Sequence, residues 1–204
     1  MVTVLAMKLL YTPNSPYARK VRIALREKGI ACEETQVTLP DPALDSANTL
    51  GKVPTLVLDD QTSMFDSVVI IEYLELAKPE PRMIPIDLWE RVIVRKWEAI
   101  GDGLCDVTVT VVLEQRRPAD KQDASVIERA DRKISATLRA IESELNGRTY
   151  AFGNDFSLAD AALLTAFGYI GLRRQHLLEG FSAINSYRSV HAQRPSIAVT
   201  LPPG

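Results

Sequence analysis

The chain has 204 residues, 46% of them hydrophobic, and its 24 basic and 26 acidic side chains leave a formal charge of −2. That length can bury one large core or two modest ones, and the balanced charge gives no electrostatic basis for a nucleic-acid or membrane-surface partner. The longest apolar stretches, Val107–Leu113 and Leu158–Ile170, are too short to span a bilayer, and Met1–Ala6 lacks the charged start and long apolar run of a secretory signal.

Lys8–Tyr11 is a short apolar run that predicts a strand, followed by a turn at Thr12-Pro13-Asn14. Ser15-Pro16 then opens a helical pattern over Pro16–Lys28, with Val21, Ala24 and Leu25 on one face and Gly29 at its end. Cys32–Val37 reads as a second strand, making a parallel, right-handed βαβ unit. A polar loop, Leu39–Gly51, leads to Val53-Pro54 and a buried strand, Thr55–Leu58. Asp59–Gln61 turns the chain into a hairpin partner at Ser63–Phe65, and Asp66-Ser67 starts a helix over Val68–Ala77.

Pro79, Pro81 and Pro85 mark a stiff connection, so the chain divides into a part at 7–81, a linker at 82–86 and an all-helical part at 87–204. Leu88–Arg116 keeps a helical period through Trp89, Val92, Ile93, Trp97 and Ile100, with a bend or a close helix contact expected at Gly101 and Gly103. Ala124–Leu145 is a second amphipathic helix, stopped by Asn146-Gly147. Leu158–Ile170 is apolar all round and belongs in the middle of a bundle; a last helix falls near Ala183–Gln193.

The most telling chemistry lies at Ser15. A hydroxyl where a strand hands over to a helix sits beside unpaired backbone N–H groups and the positive end of the helix dipole, a setting that suits an anion such as a thiolate. Ser157-Leu158-Ala159-Asp160 has the S-x-x-D form of a capping box and a folding role. Cys32 and Cys105 are too few and too isolated for a disulfide framework or a metal site, so no metal is expected. His176 and His191 have no partner pattern, and Arg19, Lys20, Arg22, Arg26 and Lys28 read as a solvated helix face.

Four segments, Asn14–Leu25, Gly51-Lys52-Val53-Pro54, Asp66-Ser67 and Phe156–Asp160, fall in an order and spacing that resembles the cytosolic glutathione transferases over essentially the whole chain. The resemblance implies an α/β thioredoxin-like N-terminal domain joined to an all-α C-terminal bundle, with Met7 in the place of the usual first residue. It implies glutathione as co-substrate, a bacterial, serine-type active site, a homodimer and a cytoplasmic location. The expected reaction is attack of the glutathione thiolate on a hydrophobic electrophile, with hydroperoxide reduction as a further activity. The rival readings are a non-catalytic interaction module of the same fold, and an isomerase whose Ser-Ser-Cys signature is missing here.

By the same resemblance Ser15 donates to the glutathione sulfur. A free thiol of pKa about 8.5 is only about 3% thiolate at pH 7, and lowering that pKa by about 2 units requires roughly 2.7 kcal/mol of differential stabilisation. A hydroxyl donor supplies about 1.5–3 kcal/mol and a helix start roughly 0.3–1 more. Tyr11, near the end of the first strand, is the rival for that role. Val53, before an expected cis Pro54, would pair its backbone with the cysteinyl unit; Lys52 would reach the glycyl carboxylate; Asp66 and Ser67 would take the γ-glutamyl ammonium and carboxylate. Asn48 and Thr49 read as loop residues. The second substrate is expected along the helix around Trp97–Leu113, with Asp102, Cys105 and Asp106 as candidates by position.

Overall fold

Alternation along strand β1 (Met7–Tyr11) puts Met7, Leu9 and Tyr11 on one face and Lys8 and Leu10 on the other. β1 pairs in parallel with β2 (Glu33–Gln36) and antiparallel with β3 (Thr55–Leu58), and β3 pairs antiparallel with β4 (Ser63–Met64). The sheet order is therefore β2-β1-β3-β4, the mixed four-stranded sheet of a thioredoxin-like domain. Helix α1 (Pro16–Glu27) bridges the parallel pair. It ends in a Schellman turn, in which the Gly29 N–H bonds Arg26 O and the Ile30 N–H bonds Leu25 O, with Gly29 at φ +57°.

The segment read as a polar loop holds a helix, α2 (Pro42–Ala47). The Asp41 carboxylate accepts from the Ala43 and Leu44 N–H groups, Pro42 occupies the first turn, and Leu44 is fully buried. Six residues are too few to show a period, and only the Asp-Pro start was readable. Helix α3 (Ser67–Ala77) packs against α1.

The solvated basic face is a second correction. Arg19, Lys20 and Lys28 are buried. Lys28 Nζ donates to Glu75 Oε1 at 2.7 Å and to the Pro81 carbonyl at 2.8 Å, while the Met83 N–H returns to Glu75 Oε1 at 3.2 Å. Arg22 and Arg26 both pair with Glu34 of β2. Lys28, Arg22 and Arg26 are drawn in by carboxylates of other elements, and Arg19 donates to the Ile197 carbonyl, none of which a helical wheel shows.

The computed structural model describes residues 6–203, which form two units: residues 6–85 with 195–203, and residues 86–194. The second is helical: α4 (Leu88–Gln115), α5 (Ala124–Leu145), α6 (Leu158–Arg174) and α7 (Ser182–His191). A final short helix, α8 (Pro195–Ala198), belongs to the first unit and packs on α1. α4 runs unbroken through Gly101, where an added Cβ would stand 2.8 Å from the Ala162 carbonyl oxygen, so this glycine serves close contact with α6. The expected capping box forms: Asp160 accepts from the Ser157 N–H at 2.8 Å and the Ser157 hydroxyl at 3.0 Å. Asp160 also accepts from the Ala151 N–H at 2.8 Å and the Tyr187 hydroxyl at 2.6 Å. Among the described residues no helix is long and apolar enough to cross a membrane.

Candidate active site

Topology gathers the expected glutathione residues at one end of the sheet. Leu10 pairs with Thr55, so the turn after β1 that carries Ser15 lies beside the Val53-Pro54 step before β3. Because β4 runs back along β3, with Met64 opposite Leu56, the chain leaves β4 at that same end and enters α3 through Phe65, Asp66 and Ser67. Two helices, α1 and α3, thus begin where three loops meet, and both direct first-turn N–H groups and a partial positive charge there.

Ser15 is the N-cap of α1. Its Oγ accepts from the Ala18 N–H at 3.2 Å, and its own N–H bonds Thr12 O at 3.0 Å. The side chain is half-buried, and among the described residues no acceptor takes its hydroxyl proton. A hydroxyl that accepts from a backbone N–H is polarised toward donation, so the cap bond and a bond to an anion reinforce one another.

The Val53–Pro54 bond is cis, as is Phe65–Asp66. Val53 is half-buried and the Lys52 side chain is exposed. The loop is held from beneath: Asn48 Nδ2 donates to the Lys52 carbonyl at 2.9 Å, as does Thr55 Oγ1 at 2.9 Å, and Asn48 Oδ1 accepts from the Leu50 N–H. Asn48 is buried, so the residue read as plain loop braces the backbone that carries Lys52 and Val53. Its signal, an asparagine whose partners lie two to seven residues on, is invisible without the fold.

Asp66 caps α3, accepting from the Val68 N–H at 3.0 Å, and Ser67 is buried at the first helical position. Tyr11 takes the other course. The Arg22 guanidinium lies 4.6 Å from its ring centroid, while Arg22 itself is bonded to Glu34 at 2.7 Å. The ring of Tyr11 thus stacks under a cation of α1 that is itself tied to β2.

Cys105 is buried, and Cys32 lies just before β2. Burial, then the Glu34 carboxylate, push the Cys32 thiol up to about 11. Among the described residues no cluster of three His, Cys, Asp or Glu could hold a metal ion. His191 donates to or accepts from nothing at this site; its Nε2 is 2.7 Å from the Thr149 carbonyl within an aromatic cluster of the second unit. A groove of about 610 Å³ between α2 and the sheet is lined by Met7, Lys8, Ala43, Leu58 and Ser63 and contains none of the expected site residues.

The geometry agrees with comparison to known proteins. Residues 9–82 match the family model "Glutathione S-transferase, N-terminal domain" and residues 104–195 match "Glutathione S-transferase, C-terminal domain". An uncharacterised GST-like protein of Escherichia coli K12, YibF, is 40% identical over 171 residues, covering 82% of this chain and 84% of its own. A crystal structure of a glutathione S-transferase from Methylobacillus flagellatus KT with GSH bound superimposes with a TM-score of 0.92 at 40% identity, covering 97% of this chain and 100% of that one. One from Methylobacterium radiotolerans JCM 2831, in complex with glutathione sulfonate, gives 0.91 at 32% identity, covering 98% and 96%. The chain belongs to the glutathione S-transferase family.

Proposed function

We propose that the protein binds glutathione at the α1–α3 end of the sheet and uses the Ser15 hydroxyl to hold the bound thiol as a thiolate for attack on a hydrophobic electrophile. The observation that carries this is the uncommitted Ser15 proton, on an oxygen already polarised by the Ala18 N–H. The relatives solved with GSH and with glutathione sulfonate support the ligand. In this reading the Val53 backbone pairs with the cysteinyl unit, Lys52 reaches the glycyl carboxylate, and Asp66 and Ser67 receive the γ-glutamyl ammonium and carboxylate at the start of α3. The same thiolate would reduce organic hydroperoxides. In this reading Ser15, and not Tyr11, holds the thiolate; the Arg22 guanidinium lies over the Tyr11 ring.

A homodimer fits the same reading. Leu88, Trp89 and Val92 are exposed on the first turns of α4, Trp89 at 71%, and Val69 and Leu76 are exposed on α3. Apolar helix faces of this kind are the material of subunit interfaces. Two free cysteines suit a cytoplasmic location. The test is an ultraviolet titration of the glutathione complex: thiolate absorbance should rise about 2 pH units below the free tripeptide's midpoint, and superimposed curves would overturn the assignment. Absence of glutathione binding at millimolar ligand would favour an interaction module of the same fold.

A further inference from the structure

Residues 195–203 are part of the first unit, and from residue 196 onward they lie beyond both matched family segments, which end at 82 and 195. Their helix, α8, lies along one stripe of α1. Near the start of α1, Arg19 Nη2 donates to the Ile197 carbonyl at 3.4 Å; at its end, the Ser196 hydroxyl donates to Glu27. Ile23, four residues from each on the same face, is fully buried. Thr200 is fully buried as well. Its hydroxyl is 2.7 Å from the Ser196 carbonyl and 3.2 Å from that of Ile197, so the segment that meets α1 is tied into one piece.

The first turn of a helix frays unless something outside the helix holds it. Ser15 is the N-cap of α1, so its hydroxyl goes where that turn goes. Arg19 stands one turn on. Its N–H donates to the Ser15 carbonyl at 3.0 Å, and its buried side chain is anchored on α8. A donor that stabilises a bound anion must be held to within about 0.5 Å of the productive geometry. Resting on the thiolate reading above, we infer that residues 195–203 form a strap that fixes the first turn of α1. Arg19 is then a positioning residue, which acts through Ser15 by keeping its hydroxyl aimed at the bound sulfur.

Two variants loosen the strap from opposite sides. Arg19→Met removes the donor and keeps an aliphatic stem; Ile197→Ala removes a buried side chain of the strap and leaves Arg19 in place. In the glutathione complex of each, the ultraviolet thiolate midpoint should rise by at least about 0.5 pH unit toward that of the free tripeptide. The Ala18 and Arg19 amides should exchange with solvent at least about tenfold faster. Arg19→Lys, which keeps a donor, should recover about half of the midpoint shift. A packing role alone would lower the melting temperature and leave the midpoint in place. An unmoved midpoint in Ile197→Ala overturns the strap, whatever Arg19→Met does. If the native complex itself shows no lowered midpoint, the Ser15 assignment fails instead. The strap is then judged by exchange: faster Ala18 exchange in Ile197→Ala supports it, and unchanged exchange overturns it.

Discussion

The first turns of α6, α1 and α7 satisfy their free N–H groups in three different ways. The Ser157 hydroxyl at the start of α6 spends its proton on Asp160, which also collects bonds from the Ser157 and Ala151 N–H groups and the Tyr187 hydroxyl. The Ser15 hydroxyl at the start of α1 accepts one bond and keeps its proton. The start of α7 has no cap of its own: the Ala183 and Ile184 N–H groups and the Ser182 hydroxyl donate to Glu142 of α5. The same orphaned N–H groups are thus satisfied by a closed network, by an open hydroxyl and by a distant carboxylate. Only the open one retains a donor for chemistry, so a satisfied cap serves folding and an unsatisfied one can serve a ligand.

The largest expected effect breaks the closed cap. Asp160→Ala would leave four buried donors without an acceptor, at a cost of about 3–5 kcal/mol, and thermal melting should fall by roughly 10 °C. Tyr187 adds to that cost, since its phenol is pushed well above its ordinary value by burial and then by Asp160, and so stays a donor. Asp160→Asn should lose less, because one oxygen still accepts. A melting point within 2 °C of the native protein's for Asp160→Ala would mean that the network is not what fixes α6.

Next comes the exchange of roles between the two serines. Ser15→Ala should lower kcat/KM for conjugation at least about tenfold, or about 1.4 kcal/mol, while costing about 1 kcal/mol of stability as a lost cap. Ser157→Ala should cost a similar stability and leave kcat within about twofold. Steady-state kinetics and melting on both variants separate the cases. If both serines cost only stability, the hydroxyl that activates the thiol lies elsewhere.

The third cap gives a smaller effect with a definite sign in pH. Burial pushes the Glu142 carboxyl up, but the bonds from Ala183, Ile184 and Ser182 outweigh it, so its folded pKa lies below the ordinary value. A depressed carboxylate contributes stability that is present above the unfolded pKa of about 4.3 and is lost as pH falls through the folded value. Glu142→Gln should therefore melt lower than the native protein at pH 7, by about 1 kcal/mol on the scale of a helix cap. As the pH falls below about 4.3 and on through the folded value, the two melting curves should converge. A gap that persists in acid would mean that Glu142 acts by packing.

These caps also show where a sequence can be read. Ser15-Pro16, Asp66-Ser67 and the S-x-x-D box are local, because donor and acceptor lie within three residues, and each was found in place. The parallel β1–β2 pair and the β3–β4 hairpin followed from strand–helix alternation and turn signals, and the whole sheet and the family from the spacing of the motifs. What stayed hidden is non-local. Glu142 meets its partners about 40 residues on, and Lys28 meets Glu75 and Pro81 some 50 residues away. The helical pattern of α1 shows basic residues on its outer side, yet partners from β2 and α3 bring several of them in. Asn48 was hidden for a subtler reason: its partners are close in sequence, but its burial depends on how β3 seats beneath the loop.

The smallest effect on turnover is expected from the two thiols, which stand in contrast to the Ser15 hydroxyl. Burial, then Glu34, hold the Cys32 thiol at about 11, so at pH 8 only about one molecule in a thousand carries a thiolate, against about a quarter for a free thiol of pKa about 8.5. Alkylation by iodoacetamide should run roughly a hundredfold slower than for a free cysteine, since the thiolate is the nucleophile. Cys105 is buried in α4 and should label more slowly still in the native state. The double variant Cys32→Ser/Cys105→Ser should then keep the conjugating activity that Ser15→Ala loses. Rapid labelling of one equivalent with parallel loss of turnover would place a cysteine in the chemistry, and the open serine cap would be demoted to a helix cap like its counterpart on α6.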